Sequence, residues 1–327
     1  MTTRRAFNLA SGAAALVMHA RARTQTVAAM RRVSILEVLS HALAAPRGAA
    51  FKQAMGERGW QEGQNIGYHF AYADSDIKRL DALVAGLIAA QCEVIVVGAA
   101  VSAQAAQRAT KSIPIVLTNV SNVIESGLVT SLARPGGNIT GITSLLETLA
   151  KQMEALHELT PLSQRIAILL NERHPSYGRN WDIAQASCQR LKLTPLRFAV
   201  SAPSQLAAAA QAIVSQRAQA VAVVSDPMFN SERIQLQALL QATRLPVAYG
   251  LREHVVAGGL LSYASNFVAN WGYAAKFVDK ILRGAKPAEL PVEQPTKFEL
   301  VINAGEAKRL GLTIPPAVLL RADEVIE

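Results

Sequence analysis

The chain has 327 residues, of which 50% are hydrophobic, 17% charged and 5% aromatic, with 33 Lys and Arg against 24 Asp and Glu. That length implies roughly two domains, each with a core of its own, and the ordinary charge with scattered Gly and Pro excludes a disordered, collagen-like or linker chain. The net charge of +9 is spread over single residues and pairs, with no basic run of five and no interleaved aromatics, which argues against a nucleic-acid groove.

The first elements belong to export rather than to the fold. Arg4 and Arg5, followed by Phe7, lead into an apolar stretch from Leu9 to Met18 and then into Ala20-Arg21-Ala22. A charged start, a short hydrophobic middle and an A-x-A-like end are the organisation of a signal peptide over residues 1–22. The paired arginines are similar to a twin-arginine signal, so both that route and the general secretory route are open. The apolar middle is shorter than the ~20 residues of a spanning helix, and later apolar runs are broken by charge, Gly or Pro. Loss of residues 1–22 removes three arginines and no acid, leaving +6 of the +9. No Cys follows the apolar stretch, which points to a free periplasmic protein rather than a lipid-anchored one. Cys92 and Cys188 read as two buried small apolar residues, with a disulfide open in an oxidising compartment.

From Arg32 onward, short apolar strands alternate with amphipathic helices. Val33 to Leu39 reads as a buried strand and Arg47 to Arg58 as a helix. Ile66, Tyr68, Phe70 and Tyr72 alternate as a strand, and a helix follows with Leu80, Leu83, Val84 and Leu87 on one side. The strand at 94–97, a helix at 102–110, the strand at 113–118, a helix at 125–133 and the strand at 139–143 continue the pattern. It restarts with a helix at 147–159, strands at 166–170, 221–224 and 247–249, and helices at 181–191, 205–216 and 232–243. A strand at 260–263 and a helix at 271–282 follow, and the elements between Phe298 and Leu310 fit neither half clearly. Near-continuous apolar strands between helices indicate parallel sheets covered on both faces. The fold class is therefore α/β, in two Rossmann-like, doubly wound lobes.

Enzyme signatures are missing. There is no G-x-G-x-x-G after a strand, no P-loop, no G-x-S-x-G and no H-E-x-x-H, and the histidines after residue 22 share no short metal-ligand spacing. No cofactor, no metal and no catalytic residue is expected. Gly136-Gly137 precedes a strand, the wrong order for a phosphate cradle, and reads as a tight turn.

Open α/β sheets bind ligands beyond the carboxyl ends of their strands. In the first lobe those ends deliver Ser40 and His41, then Gly98 to Ser102 including Ala100, then Asn119, Ser121 and Asn122. In the second they deliver 171–177, ending in Tyr177, then Ser225 to Asn230 including Asp226, then Tyr249. Ser102, early in a helix, is a candidate carboxylate ligand together with the free N–H groups there, and equally an N-cap. Asp226 is a candidate ammonium acceptor, and Asp-Pro is also a turn starter. Tyr177 and Tyr249 are candidates for stacking on a ligand, or packing residues. His41 is a candidate polar reader or a solvated loop residue.

The blocks SGLVTSLARPGGNITG from Ser126 to Gly141, GGLLSY from Gly258 to Tyr263, PVEQPTKFELVIN from Pro291 to Asn303 and LGLTIPPAVLLRADEVIE from Leu310 to the end resemble the exported substrate-binding proteins of ABC transporters, in the family with tryptophan- and tyrosine-type binding proteins. The resemblance covers nearly the whole chain. It implies a type I periplasmic-binding fold with three crossovers, and closure on a small solute that a membrane permease then receives. The expected lobes are 23–143 with about 260–290, and 144–259 with about 291–327. Asn122 to Ser126 replaces the usual Asp-Pro before Gly-Leu-Val, and 171–175 replaces a short Asn-Pro type turn, so an aromatic ligand is not simply inherited. The expected partners are a small amino acid or related carboxylate and an ABC permease, with no nucleic acid and a monomeric chain. The competing expectations are a periplasmic ligand sensor, and an enzyme using the same cleft with Asp226 or His41 as acid or base.

Overall fold

The computed structural model describes residues 30–144, 147–295 and 297–327; the expected export segment, 1–22, lies outside the described residues. In the first lobe, β1 (Arg31–Glu37), α1 (His41–Gly56), β2 (Ile66–Tyr72), α2 (Leu80–Ala89), β3 (Val94–Val97), α3 (Ala100–Ala109), β4 (Ile115–Ser121) and β5 (Ile139–Ser144) follow one another. The second takes α4 (Glu147–Leu159), β6 (Arg165–Asn171), α5 (Tyr177–Leu191), β7 (Thr194–Val200), α6 (Leu206–Ser215), β8 (Ala220–Val223), α7 (Pro227–Ser231), α8 (Arg233–Ala242), β9 (Val247–Tyr249), α9 (Arg252–Val256) and β10 (Leu261–Ser265). The chain closes with α10 (Phe267–Leu282), β11 (Phe298–Asn303), α11 (Ala304–Arg309), α12 (Pro316–Leu319) and β12 (Glu324–Ile326).

The two sheets repeat one topology. The first has the order β2-β1-β3-β4-β5, all parallel. The second has β7-β6-β8-β9-β10 in the same pattern, extended by β11 and β12. The two added strands reverse direction: β11 runs against β10 with Leu261 opposite Ile302, and β12 is parallel to β11. Successive residues of one strand feed opposite faces: Ile95 and Val97 join one core of the first lobe, Val94 and Val96 the other. That period of two is why these strands read as unbroken apolar runs. The second lobe repeats it, with Ile168 in one core and Leu169 in the other.

Among the described residues the chain crosses between lobes three times: after β5, between β10 and α10, and between Glu293 and β11. The expected return at about 260 is corrected, because Leu261–Ser265 is the fifth strand of the second sheet; the return comes after it. Trp271, Phe277 and Val278 of α10 then pack with Val33, Ile35 and Phe51 of the first lobe. The expected crossing at 291 also moves. Val292 N–H donates to Leu132 O at 2.7 Å, and Glu293 joins β5, its N–H donating to Gly141 O at 2.8 Å and its O accepting from Thr143 N–H at 2.9 Å, which keeps both residues on the first lobe. The closing strand β11 finds its place beyond β10.

Two element expectations are also corrected. Residues 125–133 form turns rather than a helix, since Gly127 stands at φ +70° and Leu128 N–H folds back to Val123 O. Helix α1 starts at His41 and carries Pro46 in its interior, where the sequence reading starts the helix after the proline. Cys92 and Cys188 are free and buried, each in a core of a different lobe. Burial pushes the Cys188 thiol up to about 11. Among the described residues no helix is long and apolar enough to cross a membrane.

One buried histidine sets an acid limit on the second lobe. His254 stacks on Tyr249 with ring centroids 4.7 Å apart, and its Nδ1 has no partner. Burial, helped by Arg233, lowers its pKa to about 3. A depressed folded value means that the stability is present above the unfolded value near 6.5 and is lost as pH falls toward 3. Over that whole window the loss is on the order of 5 kcal/mol. Thermal melting between pH 7 and pH 4 is expected to show a steeper decline for the native chain than for His254→Phe; equal slopes would contradict this.

Candidate ligand-binding cleft

A cavity of about 280 Å³ lies between the carboxyl edges of the two sheets, lined from both lobes. It sits at the switch point of each 2-1-3-4-5 sheet, where the first strand's neighbours leave in opposite directions. The first lobe supplies Glu37 and Val38 from the end of β1, Ala99 to Val101 from the start of α3, and Asn119 and Ser121 from β4. The second supplies Asn171 at the end of β6 and His174 after it, Ser225 to Met228 after β8, and Asn230 from α7.

Each group is positioned by its element. Strand β3 is followed by Gly98, where an added Cβ would meet the Trp271 ring at 2.8 Å. The turn into α3 is held close to the indole in this way. The first N–H groups of α3 have no acceptor within the helix, which suits that end to a carboxylate. In the second lobe, Asp226 is 4% exposed and caps α7, accepting from Met228 N–H at 2.7 Å and from both contacts of the Asn171 amide at 3.1 Å. Asp226 is thus a turn starter and a wall of the cavity together. His174 Nδ1 accepts from the Ser176 N–H at 3.0 Å, which leaves Nε2–H as its donor. Burial lowers the His174 pKa, opposed by the nearby Asp226 carboxylate, so the ring is neutral at neutral pH.

The deepest charge is an ion pair in which neither partner is well satisfied. Glu37 is 3% and Arg47 6% exposed, and they stand 3.8 Å apart. Arg47 also faces Glu253 across the cleft at 3.9 Å, and its guanidinium lies over the Phe267 ring. Both distances exceed a hydrogen bond. Burial raises the Glu37 pKa, while Arg47 and the Val38 N–H draw it down. Glu37 Oε1 and Asn230 Oδ1 are buried with no hydrogen-bond partner.

The lobes also touch directly. The Ser75 and Ser231 hydroxyls meet at 2.5 Å, those of Ser121 and Ser176 at 3.5 Å, and Arg179 faces Glu125 at 4.0 Å. Ser75 is held at φ +67° beside Asp74 at +51°, a left-handed pair that turns its loop toward the other lobe. At the second crossing, Asn119 Oδ1 accepts from the Ser265 hydroxyl at 3.2 Å and the Asn270 amide at 3.0 Å. The cleft is closed in this conformation.

Four of the residues expected from the sequence, Ala100, Asn119, Ser121 and Asp226, line this cavity, and six stand outside it. Ser102 is the third residue of α3 rather than its cap, and its hydroxyl donates to Ala99 O at 2.8 Å. His41 is exposed, edge-on to Tyr72 at 5.3 Å, with Ser40 before it as the helix cap. Asn122 follows β4 at φ +56° and is not part of the lining. Tyr177 packs against the core of the second lobe. Tyr249 is fully buried, with its hydroxyl donating to Gln237 Oε1 at 2.5 Å. Glu37, Arg47 and Phe267 were not among the expected residues, whereas Asn230 closes the 225–230 segment that the strand ends deliver. A charge at the end of the apolar run from Val33 was the one available signal for Glu37.

The family model described as "ABC transporter substrate binding protein" matches residues 32–326. A tyrosine-binding protein of Clostridioides difficile is 24% identical over 283 residues, 86% of this chain and 81% of that one. An ABC domain from Streptococcus pneumoniae solved in complex with L-Trp superposes with a TM-score of 0.85 at 26% identity, covering 91% of this chain and all of that one. A ligand-free, open substrate-binding protein with adhesive properties, from Clostridium difficile, gives 0.69 at 21% identity, covering 91% and 99%. With the family model spanning both lobes and every crossover, the chain belongs to the ABC transporter substrate binding protein family.

Proposed function

We propose that this chain, exported to the periplasm, captures a small amino-acid-like solute between its lobes by hinge closure and delivers it to the permease of an ABC importer, without chemical change. The observation that carries this reading is the cavity between the carboxyl edges of two sheets of the same topology. The relatives described as binding tyrosine and L-Trp support an amino-acid class. The twin-arginine-like segment at the start of the sequence supports export. In this pose the α-carboxylate meets the N–H groups at Ala100 and Val101, with Asn119 and Ser121 beside it, and Asp226 faces the ammonium. Contacts from both lobes make the closed state the one that binding stabilises.

The test is a thermal-shift screen of the proteinogenic amino acids and small carboxylates on dialysed protein, followed by small-angle scattering. At a hundred times its Kd, a solute that binds only the folded chain adds about 2.7 kcal/mol. A Tm rise of several degrees with a smaller radius of gyration is expected for at least one solute. A flat screen with no compaction would overturn the reading.

A further inference from the structure

The Glu37, Arg47 and Asn230 end of the cavity is built for a group that donates and accepts at once. Glu37 from β1 and Asn230 from α7 bring one oxygen each, from opposite lobes, and neither oxygen has a donor when the lobes are closed. Arg47, which lines the same cavity, presents its N–H groups to the Glu37 and Glu253 carboxylates only at 3.8 and 3.9 Å. A buried acceptor without a donor is costly, and a buried guanidinium prefers close planar partners.

An ammonium would satisfy the two oxygens and then lie against the Arg47 cation. A carboxylate would satisfy Arg47 and then repel Glu37. A carboxamide does both: its two N–H groups reach the two oxygens and its carbonyl accepts from Arg47. The surroundings also discriminate against aromatic solutes. Among the described residues, no Tyr or Trp lines the cavity, and one face of the Phe267 ring is already taken by Arg47.

We propose that the solute is an amino acid whose side chain ends in a carboxamide or ureido group, held by Glu37, Arg47 and Asn230 as its headgroup meets the start of α3. This rests on the solute-binding reading above and names its substrate class. The test is titration calorimetry of the dialysed full chain with L-glutamine, L-asparagine, L-citrulline, L-glutamate, L-methionine, L-tryptophan and L-tyrosine. At least one of the first three is expected to bind about tenfold or more tightly than the other four. Asn230→Ala and Glu37→Gln are each expected to weaken that solute by about tenfold to a hundredfold, the scale of losing a hydrogen bond to a buried polar or charged group. Asn230→Ala leaves the buried ion pair intact, so a folded variant is available even if Glu37→Gln fails to fold.

An aromatic, aliphatic or acidic solute binding as tightly as the amides would overturn this assignment and leave the solute-binding reading standing. So would an unchanged affinity in Asn230→Ala. No binding by any of the seven, with a flat broader screen, would overturn both.

Discussion

Replacing Gly141 by alanine is expected to destabilise the first lobe by about 2–6 kcal/mol, a large part of the ~5–15 kcal/mol that holds a typical domain together. Gly141 lies in β5 at φ +124°, where a Cβ would stand 2.2 Å from Leu117 O and 2.5 Å from Leu117 N. Those atoms are backbone of the paired strand β4, where Leu117 is the register partner of Gly141, so they cannot swing aside as a flexible side chain would. The pairing shifts register between Leu117 and Val120, so the strain falls on an already irregular stretch. Gly141 O also accepts from Glu293 N–H, the hydrogen bond that ties the third crossing to this strand. Melting followed by circular dichroism is expected to fall by roughly 5–15 °C. An unchanged Tm would mean that β4 and β5 are not packed as described.

Arg47→Ala has the second large effect, and its pH dependence identifies the cause. Glu37 is buried, with Arg47 as its close cation at 3.8 Å. Removing one partner of a buried pair leaves the other uncompensated, at a cost of about 3–5 kcal/mol. The Glu37 pKa already lies above its ordinary value of 4.5 because burial outweighs Arg47, and the variant raises it further. For a carboxyl with a raised folded value, stability is highest below the unfolded value and is lost as pH rises through the folded one. The deficit of Arg47→Ala against the native chain is therefore expected to be largest at pH 8 and to shrink toward pH 5. Urea denaturation at the two pH values checks this. Equal deficits would assign the loss to packing against Phe267 instead of to Glu37.

The fold was largely legible because both sheets are buried on two faces. Their strands at 94–97, 166–170 and 221–224 stand out as apolar runs between helices, and β5 and β9 were found almost to the residue. Strand β7 was missed for a physical reason: it is the edge of the second sheet, where Pro195 is tolerated and Arg197 breaks the apolar run. The placement of β10 was also out of reach, since Leu261 to Ser265 would suit either sheet and only the pairing with β9 decides.

The site was half legible. Strand ends led to Ala100, Asn119, Ser121 and Asp226, because the carboxyl edge of a parallel sheet is a fixed place. They do not say which way a side chain turns. Tyr249 at the end of β9 points into the core toward Gln237, and the Ser102 hydroxyl folds back on its own helix. Arg47 was illegible for the opposite reason. A helical arginine normally marks a solvated face, but here Glu37, the Phe267 ring and Glu253 of the second lobe surround it, none of them its neighbour in sequence.

Native mass spectrometry of the chain purified without denaturant tests the central claim most directly. The account predicts a 1:1 noncovalent adduct with the mass of a single amino-acid-sized solute, released intact and chemically unchanged. Adducts of the mass of an oligomer, or a bare chain that gains no adduct from any small solute offered, would contradict it.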